Sequence, residues 1–283
     1  EKVTKPWNFM TVETAERIAS EVARVGWNCK FVFAMHGEPT LNPAFIDIVA
    51  TFRKHLPKAV FHMYSNGYAM NHADDTEAYL DRLFGAGMND ILVDCYTANG
   101  DWNFVEKIDV DKYNVVTLEP GVPYYYPKQG RRICLLPPIA QDDTNKMTRR
   151  LANHCGAAFP LDDSFNNKRC TFPFRELDVR WNGQVCLCCD DFRGEYPIAN
   201  IHDMPIEDLW NHPRFHAARV MLYNNDRRFR PCQGCTHVRV GFLPDKKGKQ
   251  TLPAITPEIR RMAEEVSKDG PCAEKIYRRP WEK

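Results

Sequence analysis

Residues 177–189, LDVRWNGQVCLCC, and residues 230–235, RPCQGC, carry the strongest structural signals in this sequence. In the first stretch, apolar and polar residues alternate on both sides of Asn182-Gly183, a dipeptide that favours the two-residue type I′ turn of a β-hairpin. In the second stretch, two cysteines separated by two residues are typical of a tight metal-binding knuckle. The sequence therefore predicts a hairpin and a knuckle that bring several thiols together.

The register of the predicted hairpin decides which of its cysteines share a face. A two-residue turn pairs Trp181 with Gln184. Because side chains alternate along a strand, Cys186 and Cys188 then lie on one face with Leu177 and Val179. Cys189 is expected to point the other way unless the strand bends.

The number and spacing of the cysteines indicate a metal site. The chain has 283 residues and 11 cysteines, which is an odd number in a chain too long for a small disulfide scaffold. Clustering around a CxxC favours a thiolate-bound metal in a reducing compartment, and spacing alone does not distinguish zinc from an iron–sulfur cluster. The clustered cysteines are Cys170, Cys186, Cys188, Cys189, Cys232 and Cys235.

The first half of the chain alternates predicted helices and strands. This order favours a parallel sheet with covering helices. For the second helix, Asn42 is expected to be the N-cap and Pro43 the first helical residue. The predicted helices are 11–25, 43–55 and 75–85, and the predicted strands are KFVFAM (30–35), AVFHMYSNG (59–67) and DILVDCY (90–96).

Later segments are less regular. NVVTLEP (114–120) and RRICLLP (131–137) read as strands, joined either by a shortened crossover or by a hairpin. Between them, Tyr124–Tyr126 either lines a substrate pocket or belongs to a packed loop. Residues 205–222 and 256–268 are predicted to be helical.

Two polar turns follow predicted strands in the first half. AMHGEPTLNP, residues 34–43, places Gly37, Glu38 and Pro39 directly after a buried strand and before a helix. The next strand ends in Ser65-Asn66-Gly67. In α/β folds, ligands bind at the carboxyl ends of the strands, so both turns are candidate ligand sites.

These motifs together resemble radical S-adenosylmethionine (SAM) enzymes that carry a SPASM/twitch auxiliary-cluster domain. Cys170 is followed by 12 residues, then Gly183, four residues and Cys188, and later by the CxxC of the knuckle. Upstream, HGEP is similar to the Gly-Gly-Glu-Pro turn of that superfamily, with His36 in place of the first glycine.

The resemblance implies an α/β fold in two main parts. The first is a partial (β/α)6 TIM-like barrel whose first strand is missing from the chain. The second is a small C-terminal cysteine-rich β-hairpin and helix domain. The expected boundaries are 1–153 for the partial barrel, 154–240 for the SPASM/twitch domain, and 241–283 for a C-terminal helix and tail.

The resemblance also implies the ligands of one auxiliary [4Fe–4S] cluster. A second auxiliary cluster would need more cysteines after the knuckle, where the sequence has only Cys272. Cys186 and Cys189 are left as neighbours of the cluster. The implied ligands, as in the single-cluster twitch type, are Cys170, Cys188, Cys232 and Cys235.

The family further implies a SAM site at the two turns. Gly37, Glu38 and Pro39 correspond to the turn that contacts the methionyl amino group of SAM, partly through backbone carbonyls. Ser65 and Asn66 correspond to positions that often contact the SAM ribose. For these two residues, ordinary turn chemistry is nearly as good an explanation. No catalytic residue is predicted.

The CxxxCxxC loop that binds the SAM-ligating [4Fe–4S] cluster in this family is absent from the sequence. Cys29 stands alone before a predicted strand. Since the first helix is expected to begin at Thr11, the loop should lie just before Glu1. The alternative is a protein that has lost the loop and its radical chemistry. The second cluster is expected only if the upstream motif exists.

The leading functional hypothesis is a radical SAM enzyme that generates a deoxyadenosyl radical. This radical abstracts hydrogen from a peptide or a sugar- or cyclitol-type substrate, and the auxiliary cluster transfers electrons or anchors the substrate. The implied electron donor is a flavodoxin or ferredoxin. The alternative is a catalytically inactive zinc or iron–sulfur recognition module of the same fold.

Charge and hydropathy disfavour other classes of partner. The net charge of +1 gives no electrostatic basis for binding nucleic acid, which disfavours a zinc-dependent nucleic-acid binder. No apolar run reaches the length of a membrane span, roughly 20 residues. A cytoplasmic location is therefore expected.

Overall fold

A computed structural model describes residues 8–34, 37–95, 102–118, 130–137, 152–237 and 252–266. The chain divides into two compact units, Glu1–Met147 and Thr148–Lys283. The expected three-part division at residues 153 and 240 stays a prediction. Four sequence features lie outside the described residues, namely Met35, His36, the Tyr124–Tyr126 tract and Cys272.

The first unit contains a parallel sheet of five strands in the order β1-β2-β3-β5-β4. The predicted α/β partial barrel is thereby confirmed. Because β4 and β5 pair in parallel, they do not form a hairpin, and β4 lies at the sheet edge outside β5. The strands are β1 Lys30–Phe33, β2 Val60–Ser65, β3 Asp90–Val93, β4 Val115–Thr117 and β5 Arg132–Leu135.

Four α-helices are described in the first unit. They are α1 Val12–Val25, α2 Phe45–His55, α3 Tyr68–His72 and α4 Thr76–Gly85. The predicted ends of α1 are confirmed, since the Thr11 side chain accepts a hydrogen bond from the Thr14 amide and Gly26 ends the helix with a φ of 69°. The short helix α3 was not predicted.

The predicted start of α2 is wrong by two residues. Asn42 does not cap the helix, and its side-chain oxygen instead accepts a hydrogen bond from the Ala44 amide at 3.0 Å. The Asn42 amide group donates to the Met10 carbonyl at 2.9 Å. Because these bonds hold Asn42 in a turn, Pro43 precedes the helix and does not begin it.

Aromatic packing fixes the strand that leads into the GEP turn. The Phe33 ring meets the rings of Phe52 and Phe61 edge-on, with centroids 5.2 Å and 5.6 Å apart. Phe52 and Phe61 are buried. Edge-to-face pairs of this kind add to the stabilisation from burial. The carboxyl end of β1, and hence the turn that follows it, therefore rests on a packed core.

The second unit contains a three-stranded antiparallel sheet in the order β6-β7-β8. The strands are β6 Asp178–Val179, β7 Gln184–Cys186 and β8 Pro197–Asn200. The predicted hairpin is present as β6 and β7. The third strand, β8, was not predicted.

The predicted register of this hairpin is wrong by one residue. Asp178 pairs with Cys186, and the Arg180 amide donates to the Gln184 carbonyl at 2.8 Å, so the loop has three residues and Trp181 does not pair with Gln184. Gly183 adopts a left-handed φ of 81°, as three-residue hairpin loops require. Cys186 therefore lies opposite Asp178 and does not share the face of Val179.

In the part of the second unit that the structure describes, three α-helices are present, α5 Ile206–Trp210, α6 Pro213–Tyr223 and α7 Pro257–Val266. The prediction of one continuous helix over 205–222 is wrong, because Pro213 disfavours helical backbone in the preceding residue. A new helix begins there, and the His212 ring accepts a hydrogen bond from the Arg214 amide at 3.2 Å. The final predicted helix is present as α7, which packs against α6.

Among the described residues, no helix is long and apolar enough to span a lipid bilayer.

Candidate metal centre and cofactor-binding turn

Five buried thiols lie together in the second unit, and they form what we call the thiol cluster. Each of the five residues is at most 8% exposed. The charges of Cys188, Cys170 and Cys235 act on Cys232 and raise its pKa. Cys155 interacts with both Cys188 and Cys235 through its thiol. The structure thus brings together all four predicted ligands and adds one. The members are Cys155, Cys170, Cys188, Cys232 and Cys235.

The electrostatics of the thiol cluster suit a cationic occupant. Burial raises the pKa of Cys232 well above its usual value, and the nearby thiols raise it further. The hydrogen bond with Cys155 lowers the pKa of Cys188, but burial and two aspartates outweigh it and raise that pKa to about 12. Buried thiols ionise when a cation compensates their charge, and iron supplies that charge. The donor set therefore fits a four-thiolate iron–sulfur cluster.

Cys235 differs from the other thiols. The hydrogen bond from Cys155 lowers the pKa of Cys235 to about 7, although burial opposes this shift. The surroundings of Cys235 therefore favour its thiolate, which is the form that binds a metal.

The knuckle that carries Cys232 and Cys235 is held through Gly234. The Gly234 amide donates to the Asn166 side chain at 2.7 Å, and its carbonyl accepts from the Asn153 side chain at 2.8 Å and from the Asp162 amide at 2.9 Å. Its φ of 65° is left-handed, and a Cβ at this position would lie 2.7 Å from the Leu161 Cβ. Glycine is required here for both reasons.

Arg227 holds the backbone around the knuckle. It is 1% exposed, and its guanidinium donates to four carbonyl oxygens. The distances are 2.8 Å to Lys168, 2.8 Å to Cys235, 3.0 Å to Arg169 and 3.0 Å to His237. A buried cation beside the thiols also lowers the pKa of Cys232 and Cys235, because it favours their thiolate forms.

A buried carboxylate lies close in sequence to the proposed ligand Cys188. Asp190, two residues after Cys188, contacts the Nδ1 atom of His154 at 3.2 Å and the Nδ1 atom of His237. Burial raises the pKa of Asp190, but the hydrogen bonds from the two imidazoles outweigh burial and lower it overall. The hydrogen bond to Asp190 in turn raises the pKa of His154. This group can hold a negative charge and a proton near the thiols.

A second set of ligand atoms lies on the hairpin. Oxygen atoms of Glu176 and Asp178 and the sulfur of Cys189 lie within 4.8 Å of one another. The Cys189 thiol donates to Glu176 at 3.5 Å, and burial raises its pKa. The Cys186 thiol donates instead to the backbone carbonyls of Asp178 and Cys188. The neighbour role that the resemblance implies for Cys186 and Cys189 stays a prediction.

In the first unit, Glu38 links the two predicted SAM-binding turns. Its Oε1 atom accepts hydrogen bonds from the Thr40 amide at 3.1 Å and the Ser65 hydroxyl at 2.9 Å. Its Oε2 atom accepts from the Asn66 amide at 2.7 Å. The structure therefore brings Glu38, Ser65 and Asn66 together, and the Glu38 carboxylate positions the turns.

Gly37 and Pro39 flank Glu38. Gly37 is exposed, and a Cβ there would have no neighbour within 4 Å, so the space in front of this backbone is open. Pro39 begins a 3-10 turn over Pro39–Leu41 that leads toward α2. Gly37 is therefore exposed, with open space on the side where a side chain would lie.

Sequence reasoning missed Cys155. It lies 15 residues before Cys170 and outside the spacing pattern that identified the other four. The available signal was a cysteine directly before a glycine, close upstream of the cysteine-rich segment. That signal is weak, because free cysteines are common in buried cores.

Comparison with known proteins identifies the family. The sequence model of the radical SAM superfamily matches residues 2–134, and the model of the SPASM iron–sulfur cluster-binding domain matches residues 170–236. These ranges cover most of the chain, which therefore belongs to the radical SAM superfamily. The chain is an enzyme of oxidoreductase-like radical chemistry, and the cofactors of its two domains are SAM and [4Fe–4S] clusters.

Solved structures share this fold. BtrN in complex with AdoMet and 2-DOIA aligns with a TM-score of 0.62 at 20% identity, covering 84% of each chain. Selenomethionine BtrN in an open conformation aligns with a TM-score of 0.54 at 18% identity, covering 81% of this chain and 80% of the other. At these identities the likeness shows the fold alone. No curated protein matches the sequence.

Proposed function

We propose that this protein is a radical SAM enzyme that oxidises a peptide or a sugar- or cyclitol-type substrate with the help of one auxiliary [4Fe–4S] cluster. The thiol cluster carries the proposal. Four of its five buried cysteines have the sequence spacing of a single-cluster SPASM/twitch domain. The proposed ligands are Cys170, Cys188, Cys232 and Cys235.

When bound, SAM and a reduced [4Fe–4S] cluster supply a deoxyadenosyl radical that takes a hydrogen atom, and the auxiliary cluster supplies an electron acceptor or an anchor for the substrate. The 283 residues contain no CxxxCxxC, so ligands for the SAM-binding cluster are not among them. A flavodoxin or ferredoxin is the proposed electron donor.

The number of cysteine ligands favours electron transfer by the auxiliary cluster over anchoring of the substrate. Four cysteine sulfurs can occupy one position on each of four irons, which leaves no iron open to a substrate. All four proposed ligands are at least 92% buried, since each is at most 8% exposed. The chain's contribution is then to hold the four sulfurs in place and to keep water from them.

For SAM, we propose that the turn residues act as a binding edge. Gly37 is exposed with open space beside it, Glu38 hydrogen-bonds to both turns, and Pro39 begins the following 3-10 turn. Ser65 and Asn66 lie beside Glu38, where they can reach the ribose. Glu38 is thus proposed to position the backbone that contacts SAM.

The test uses the complete gene product, purified and loaded with iron and sulfide without oxygen. Iron, sulfide and zinc contents are measured, followed by formation of 5′-deoxyadenosine from SAM after reduction with dithionite. The proposal predicts iron, sulfide and visible charge-transfer absorbance, together with 5′-deoxyadenosine. A colourless protein with stoichiometric zinc would overturn it. Bound iron without SAM cleavage would support the inactive recognition module instead.

A further inference from the structure

The turn that carries Cys155 has an unusual backbone. His154 and Cys155 have φ values of 45° and 55°, and Gly156 follows with a φ of 84°. For a residue with a side chain, the left-handed region costs about 1 kcal/mol or more. Two such residues in succession persist only where their surroundings fix them.

Hydrogen bonds clamp this turn to the knuckle. The Asn153 amide donates to the Thr236 hydroxyl at 2.9 Å, and the Thr236 amide donates to the Asn153 side chain at 3.1 Å. Because Thr236 follows Cys235 directly, the turn and the knuckle are held as one piece. On the other side, Gly156 leaves no room for a Cβ, which would lie 2.7 Å from the Leu161 side chain.

The result of this arrangement is a thiol aimed at the proposed cluster. Cys155 is 5% exposed, and its thiol lies close enough to the sulfurs of Cys188 and Cys235, which come from two separate segments, to interact with both. Cys155 lies outside the matched SPASM range of 170–236, so the family match gives it no role.

We infer that the Cys155 thiol donates hydrogen bonds to the ligand sulfurs of Cys188 and Cys235 and thereby raises the reduction potential of the auxiliary cluster. This inference rests on the proposed function, in which those two sulfurs bind iron. Hydrogen bonds to ligand sulfurs withdraw negative charge and favour the reduced cluster, which carries one more electron.

The donor role follows from the number of thiols. A [4Fe–4S] cluster takes one sulfur on each of four irons, and the thiol cluster offers five. The sulfur that binds no iron keeps its proton. Cys155 touches two of the proposed ligands at once, so its S–H group is placed to serve both.

The experiment compares Cys155→Ala and Cys155→Ser with the wild-type protein after loading with iron and sulfide. Iron content is measured first, and the cluster potential is then measured by redox titration followed by EPR. Both variants are expected to retain wild-type iron. The alanine variant, which has no donor, shifts the potential to a more negative value. The serine variant keeps a hydroxyl donor and stays closer to wild type.

Cys186→Ala is the matched control. Cys186 is a buried thiol of the same unit, but it donates to backbone carbonyls and not to a ligand sulfur. Its replacement is expected to leave the potential unchanged, which separates the role of Cys155 from the general effect of removing a buried thiol.

Three results would count against the inference. Loss of the auxiliary-cluster iron in both Cys155 variants would make this residue a ligand. Full iron with an unchanged potential in Cys155→Ala would make its thiol a packing group. A wild-type protein that binds no auxiliary cluster would instead overturn the proposed function, and the inference with it. If the alanine variant does not fold, Cys155→Val decides, because valine fills a similar volume and donates no hydrogen bond: a more negative potential supports the inference, and an unchanged potential overturns it.

Discussion

Replacement of Arg227 by methionine is expected to destabilise the second unit strongly. The side chain is almost completely buried, and its guanidinium donates to four carbonyl oxygens that surround the CxxC knuckle. Methionine fills a similar length but donates no hydrogen bond. Arg227→Met therefore leaves those acceptors without their partner.

The magnitude follows from the environment of each bond. The bond to the Cys235 carbonyl is fully buried, and its loss costs about 2–3 kcal/mol because the donor is charged. The bonds to Lys168, Arg169 and His237 are partly buried, so water can replace the donor and each costs about 0.5–1 kcal/mol. The expected loss is about 4–5 kcal/mol, or about 2 M in the urea midpoint.

The assay is urea unfolding of the iron-loaded protein, with iron content measured before denaturation. Arg227→Lys keeps the charge, but three donors on one nitrogen cannot span four carbonyls, so about half of the loss is expected. Arg228→Met is the matched control, since that side chain is 66% exposed and water screens its pair with Asp226, so the urea midpoint is expected to change little. A wild-type urea midpoint for Arg227→Met would show that the four hydrogen bonds of Arg227 do not stabilise the second unit.

Three further predictions test other parts of the structure. Glu38→Gln removes a carboxylate that accepts hydrogen bonds from both turns. It is expected to weaken SAM binding about tenfold, as measured by equilibrium dialysis. An unchanged affinity for SAM would show that Glu38 does not position the turns. Gly183→Ala places a Cβ 2.7 Å from the Asn200 side chain at a φ of 81°, and should cost about 2–3 kcal/mol in urea unfolding. Gly194→Ala is the comparison, because the nearest neighbour there is the flexible side chain of Arg180, and it should cost about 1 kcal/mol. Equal losses of stability in the two variants would show that crowding by Asn200 does not require glycine at position 183. Burial lowers the pKa of His62 from 6.5 to about 3, so the unfolded chain takes up a proton below pH 6.5 that the folded protein does not. The stabilising contribution of His62 is therefore complete above pH 6.5 and falls by about 2 kcal/mol by pH 5. The free energy of unfolding of the wild-type protein should show this slope, and His62→Gln should remove it. A wild-type free energy of unfolding that does not change between pH 6.5 and pH 5 would contradict the prediction.

The fold of the first unit follows largely from local sequence signals. Thr11 and Gly26 bracket the first helix as capping rules predict, and apolar runs mark the strands of the parallel sheet. The start of the second helix does not follow from them, because Asn42 bonds to the carbonyl of Met10, 32 residues earlier. A contact so distant in sequence leaves no local signal.

The hairpin shows a similar limit. Asn182-Gly183 correctly predicts a reversal of the chain, but it is compatible with loops of two or three residues. The observed loop has three, since Arg180 pairs with Gln184. In the packed structure, Asn200, Ile201 and His202 crowd Gly183, and these neighbours are the last residue of the strand that was not predicted and the two residues after it.

The candidate metal centre was predictable where spacing encodes it. The interval from Cys170 to Cys188 and the CxxC knuckle pointed to thiols that converge, and the structure brings them together. The fifth thiol, Cys155, depends on a left-handed turn held by hydrogen bonds to Thr236. Such a turn is a product of tertiary packing, so no spacing rule would have found it.

The metal content of a double variant, Cys232→Ser with Cys235→Ser, tests the auxiliary cluster directly when it is measured beside wild type and Cys186→Ser after anaerobic loading. We expect the double variant to lose about four iron atoms and the matching sulfide, while Cys186→Ser keeps both. Wild-type iron and sulfide in the double variant, or stoichiometric zinc in the wild-type protein, would contradict the claim that the knuckle holds an auxiliary [4Fe–4S] cluster.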